Sequence, residues 1–147
     1  MDKIMTAAGF IALTAVTAYI IIEWPAIPDE IPSHYNMAGE VDGTGGKGLL
    51  IFLLFLAWGL WLMLQVIAMV PQIWSTGVEV NRRNQKKIYR ILKTMLEILK
   101  LLMALHFSYM IFCTATAQPF FSGFMAVFLV SIFGTLTVSV IRLLRSR

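Results

Sequence analysis

Four long apolar runs alternate with short polar stretches along the 147-residue chain. They cover residues 4–22, 49–70, about 91–114 and about 120–141. A helix crosses a bilayer with roughly 20 mostly apolar residues, and each run meets that need. Pro25 follows the first run, Pro71 closes the second, and Gln118-Pro119 separates the third from the fourth. Proline lacks an amide donor and steers the preceding residue away from helix, so each marks an end. The pattern predicts an all-α membrane protein with four transmembrane helices in one domain, residues 1–147. The short break at 117–121 predicts that the third and fourth helices are antiparallel neighbours. The first run is longer than a signal-peptide core, and no clear small-x-small site precedes Glu23, so it is expected to stay as a helix.

Composition agrees with the pattern. The chain is 59% hydrophobic and 14% charged, whereas soluble domains are about half apolar and a quarter charged. The lone Cys113 excludes an intrachain disulfide framework.

The placement of charge adds a direction. After the first run come Glu23, Asp29, Glu30, Glu40 and Asp42 against Lys47 alone. The segment 71–90 carries Arg82, Arg83, Lys86, Lys87 and Arg90 against Glu79, and the end of the chain carries Arg142, Arg145 and Arg147. Short loops rich in Lys and Arg stay cytoplasmic. Both termini and the loop 71–90 are therefore expected inside, and the acidic loop 24–48 outside. Trp24 and Trp74 fall at the expected membrane borders, while Trp58 and Trp61 fall mid-helix and read as packing or lipid-facing groups. The basic segment suits anionic lipid head groups or a cytoplasmic protein partner, and no nucleic acid is expected.

Polar residues inside the runs are the next candidates. Lys93, Glu97 and Lys100 share one helical stripe, so Glu97 can pair with either lysine. Lysine stems can snorkel, so the simpler expectation is that the third helix extends into the cytoplasm before it enters lipid. The alternative is a buried Glu97 that relays a proton or cation. His106 reads as a hydrogen-bonded structural histidine, and Gln65 as interhelical glue. Ala8, Ala12 and Ala15, with Gly123, Ser131, Gly134 and Thr135, form small-residue stripes. These suit intramolecular packing first and a homodimer seam second.

The loop 24–48 is too ornate for a tether. Pro25, Pro28 and Pro32 stiffen its first part, and "SHYN" can run as an edge strand. "MAG" and "DGTGG" read as turns that tolerate positive φ. His34 and Asp42 are weak candidates for a divalent metal, with Asp29, Glu30 and Glu40 nearby in sequence. Spacing alone favours a structural role, with Asp42, Gly43 and Lys47 pinning the loop to the second helix. No H-E-x-x-H and no G-x-S-x-G occurs, so a familiar catalytic centre is absent and no cofactor is predicted.

The order P-D-x-I-P-x-H-Y-N-x-x-G-x-x-D-G-x-G-x-K resembles the signature of a bacterial membrane family, domain of unknown function 1648. Pro28, Asp29, Ile31, Pro32, His34, Tyr35, Asn36, Gly39, Asp42, Gly43, Gly45 and Lys47 carry it. The resemblance implies a bacterial cytoplasmic membrane and a relation to the N-terminal part of SdpI-type proteins, which confer immunity to a secreted peptide toxin. Their further N-x-F-G-I-R-T-P-W-T-like motif does not occur in residues 70–147. The leading expectation is a binding or sensing protein, immunity-like or signalling, whose outer loop recognises a peptide, lipid or ion. The rivals are a small homo-oligomeric ion- or proton-coupled transporter and a metal-dependent membrane enzyme.

Overall fold

The computed structural model describes residues 2–71, 74 and 77–146. Its order is α1 Asp2–Glu23, β1 Glu30–Tyr35, β2 Val41–Gly46, α2 Gly48–Met69, α3 Gln85–Ala115 and α4 Phe124–Leu144. All four helices are long and apolar enough to cross a membrane.

α3 is the hub. It packs along α1, α2 and α4, whereas α1 and α2 touch only slightly. Its 31 residues span about 46 Å at 1.5 Å each, well beyond a hydrocarbon core of about 30 Å. α1 turns Gly9, Leu13, Val16 and Ile20 inward, a spacing of three to four residues that keeps one face buried. They meet Leu50, Ala57, Trp61, Ala104 and Ile111 in the main core. Gly9 sets the close approach: a Cβ there would lie 3.0 Å from Trp61 Nε1 and 3.3 Å from Ala104 Cβ. The packing face is therefore not the expected alanine stripe, because Ala8 and Ala15 are exposed. On α4, Gly134 likewise faces open space.

Three expectations about the elements need correction. First, the chain is not all-α: the loop between α1 and α2 is an antiparallel β-hairpin. Gly43 and Gly45 lie in its second strand rather than in a turn. A Cβ on Gly43 would sit 3.0 Å from His34 Cβ, and one on Gly45 3.1 Å from Ser33 Cβ. These glycines clear space for the opposite strand, and among the loop's glycines only Gly39 has positive φ (+87°).

Second, α3 starts at Gln85, so Lys86, Lys87 and Arg90 are helical rather than loop residues. Lys, Arg and Gln are good helix formers. Asn81 prepares the start, its Oδ1 accepting the Arg83 and Asn84 amides at 2.9 and 3.1 Å. Asn84 reciprocates by accepting the Asn81 amide at 2.8 Å. Third, α4 starts at Phe124, later than the apolar run, because Phe120 is engaged by the hairpin. Left-handed turns at Ala117 (φ +53°) and Gly123 (φ +87°) frame that connection.

Candidate functional site

Two polar centres stand out, one on the hairpin and one among the helices.

The hairpin tip is organised by Asn36. Its Oδ1 accepts the Ala38 and Glu40 amides at 2.9 and 3.0 Å, and its Nδ2 donates to Glu40 at 3.0 Å. This Asx arrangement satisfies the turn from within. The turn brings Gly39 against the α3–α4 connection, where the Phe120 amide donates to the Gly39 carbonyl at 2.8 Å. A Cβ on Gly39 would fall 2.6 Å from the Phe120 carbonyl oxygen, so only glycine docks here. Tyr35 stacks on Phe120 with ring centroids 3.8 Å apart, and its hydroxyl lies 3.4 Å from Thr114 Oγ1 on α3. Removal from water pushes the Tyr35 phenol above its ordinary value, against the opposing hydrogen bond from Thr114.

The hairpin base is pinned by Lys47. Its Nζ lies 2.7 Å from Asp29, its amide donates to the Asp29 carbonyl at 2.9 Å, and it rides 5.4 Å over the Trp24 ring. The hydrogen bond and charge of Lys47 hold the Asp29 carboxyl below its ordinary value.

The opposite face of the hairpin points away from the helices. His34 Nδ1 meets Asp42 Oδ1 at 2.5 Å, with the side chains 72% and 43% exposed. Thr44 donates to Glu30 on the same rim, and Met37 is fully exposed at the tip. Among the described residues no group of three His, Cys, Asp or Glu side chains is placed to hold a metal. His34 and Asp42 therefore come together as a pair, without a third ligand beside them.

The second centre corrects the snorkelling expectation. Lys100 is 0% exposed and Glu97 3%, and Glu97 lies about 18 Å along α3 from its start. Lys100 Nζ sits 2.8 Å from Glu97 Oε2. It also donates to Thr6 Oγ1 at 3.0 Å and to Gln65 Oε1. Thr6 donates in turn to Glu97 Oε2 at 2.7 Å. An ammonium has three donors, and here each finds an oxygen on a different residue. The Trp61 ring lies 5.3 Å from the same nitrogen. Snorkelling loses because Thr6 of α1 and Gln65 of α2 join Glu97 of α3 itself in a full set of acceptors around this ammonium. Lys93, one turn nearer the start of α3, pairs with Asp2 at 3.5 Å rather than with Glu97.

Beside this group α1 and α2 part. They leave a cavity of about 750 Å³ walled by Phe10, Trp61, Gln65, Trp74 and Tyr89, with Glu97 and Lys93 at its polar side. His106 belongs elsewhere. It stacks on Phe124 and Phe128 of α4 at 4.5 and 3.7 Å, and its Nδ1 has no hydrogen-bond partner among the described residues.

Of the basic residues, Arg83, Lys86, Lys87 and Arg90 gather with Arg142 and Arg145 around the end of α4, while Arg82 does not line that hollow. Thr6 and Phe120 were not legible as site residues. A lone hydroxyl or phenylalanine in an apolar run carries no local mark of its partner 91 or 81 residues away, as Glu97 is to Thr6 and Gly39 to Phe120.

Residues 9–60 match the model of a family described as Domain of unknown function (DUF1648). The match takes in most of α1, the whole hairpin and the first half of α2, and ends before Gln65, Glu97 and Lys100. No curated protein and no solved structure matches the chain.

Proposed function

We propose that this chain is a multi-pass binding and sensing protein of a bacterial cytoplasmic membrane. The hairpin lies outside and both termini inside, as the distribution of Lys and Arg supports. The exposed rim of His34, Asp42, Glu30 and Thr44 is the recognition face for a peptide, small ligand or ion. The docked face of Tyr35 and Gly39 passes its state to α3. The observation that carries this reading is the grip of the hairpin on the far end of α3, the helix that packs along the other three. A ligand that prefers one hairpin position thereby biases the helix whose other end bears the basic residues facing lipid or a cytoplasmic partner. An immunity-like or signalling role of the SdpI type follows from the same reading. Exposed Ala8 and Ala15 give a second copy a close-packing seam.

The test is to undock the hairpin. Gly39→Val is expected to speed amide exchange in the first three turns of α3, beyond the hairpin itself, in lipid vesicles. Unchanged exchange there, with a freed hairpin, contradicts transmission through α3.

A second reading is favoured by the buried Glu97 beside the cavity: a small homo-oligomeric transporter in which Glu97 is the coupling group. Proton-driven uptake that persists in Glu97→Gln vesicles dismisses it.

A further inference from the structure

We propose that the groove between α3 and α4 is a binding site for an anionic phospholipid, with its head at the start of α3 and an acyl chain lying between the helices. Arg83, Lys86, Lys87 and Arg90 around the start of α3 and Arg142 and Arg145 around the end of α4 surround a hollow of about 550 Å³. Among the described residues none of the six forms an ion pair with a carboxylate. Six cations gathered without a counter-charge repel one another and hold an anion strongly. Basic pockets between membrane helices at the interface recognise phosphate head groups on this principle.

The hollow continues into an apolar one. Ile91 and Arg142 line both it and a second groove of about 350 Å³. The second is walled by Met95, Ile98, Val130 and Val138 and opened by Gly134. A Cβ on Gly134 would meet nothing within 4 Å. Ser131, Thr135 and Ser139 also border it, but each hydroxyl donates at 2.7 Å to a carbonyl of its own helix. Their donors are spent, so apart from the Thr94 hydroxyl and Arg142 at the shared end the groove behaves as apolar. A cationic head chamber joined end to end with an apolar groove matches a phosphate attached to an acyl chain. A soluble phosphate leaves the groove without purpose. This site stands independently of the sensing role.

The full chain, purified in neutral detergent, is titrated with phosphatidylglycerol, with phosphatidylcholine and with inorganic phosphate, and bound species are read by native mass spectrometry. Selective binding of phosphatidylglycerol is expected. Arg90→Gln with Arg142→Gln is expected to weaken it roughly 25-fold, at about fivefold per cation. Gly134→Phe fills the groove and is expected to weaken phosphatidylglycerol at least about tenfold, while Gly134→Ala has little effect. Circular dichroism and elution volume confirm that each variant is folded. If Gly134→Phe does not fold, the charge variant decides alone. Equal binding of the two lipids, or an unweakened charge variant, overturns the proposal. Inorganic phosphate that displaces the lipid fully, with normal lipid binding by folded Gly134→Phe, identifies a free-anion site and also overturns it.

Discussion

The hairpin and the Lys100 group both hold polar residues against apolar helices, by opposite means. The hairpin satisfies its polar atoms mostly with its own backbone, as Asn36 does with Ala38 and Glu40, and leaves His34 and Asp42 in water. The Lys100 group is buried and draws its oxygens from α1, α2 and α3. Local order therefore builds the first, and tertiary packing builds the second. Damage to the hairpin should cost little stability and reach the helices only through the contacts of Tyr35 and Gly39 with α3 and Phe120, and damage to the buried group should be large and spread over three helices.

The largest effect is expected at the buried pair. Lys100→Ala strands the Glu97 carboxylate, and Glu97→Ala strands the ammonium. Each should cost about 3–5 kcal/mol in reversible unfolding from detergent micelles. The paired replacement of Glu97 by Leu and Lys100 by Met should recover most of that loss, since an apolar pair of similar volume is often neutral. Two single losses that simply add would separate the residues energetically and refute the three-helix pin.

Next comes Gly39. Alanine at φ +87° meets the Phe120 carbonyl and bears a left-handed strain of about 1–2 kcal/mol. Limited proteolysis should then cut the hairpin while the helices stay resistant. Asn36→Ala removes the acceptor of two amides and should cost about 1 kcal/mol, read as faster exchange at Ala38 and Glu40.

The smallest effects concern pH. The Tyr35 value is raised in the folded state, so its contribution is present below the ordinary phenol value of about 10 and is lost as pH rises through the folded value. Asp29 is lowered by Lys47. Its contribution is present above the ordinary carboxylate value of about 3.9 and is lost as pH falls through the folded value. Hairpin proteolysis against pH should thus show an alkaline loss that Tyr35→Phe removes and a weaker acid loss that Asp29→Asn removes.

The same contrast explains what the sequence could tell. Spans, proline stops and the α3–α4 neighbourhood follow from runs of apolar residues and were legible. Spacing marked Lys47 as a loop clamp but set Asp42 beside it; the partner of Lys47 is Asp29, 18 residues away, and Asp42 pairs with His34 instead. The glycines of β2 misled, because a glycine that clears a cross-strand side chain looks like one that turns the chain. Glu97 and Lys100 were visible as charges, yet their depth was not. Burial depended on Thr6, innocuous alone, and on Gln65, which read as interhelical glue without a named partner. The hold of Gly39 on Phe120 had no local sign at all.

The role given to the hairpin rests on its facing outward, and Met37, fully exposed at its tip, offers the direct test. Cys113 is buried and is the single native cysteine, so a Met37→Cys chain carries one accessible thiol. A membrane-impermeant maleimide should label it in intact cells. Labelling that occurs only after lysis contradicts the external placement and the sensing role together.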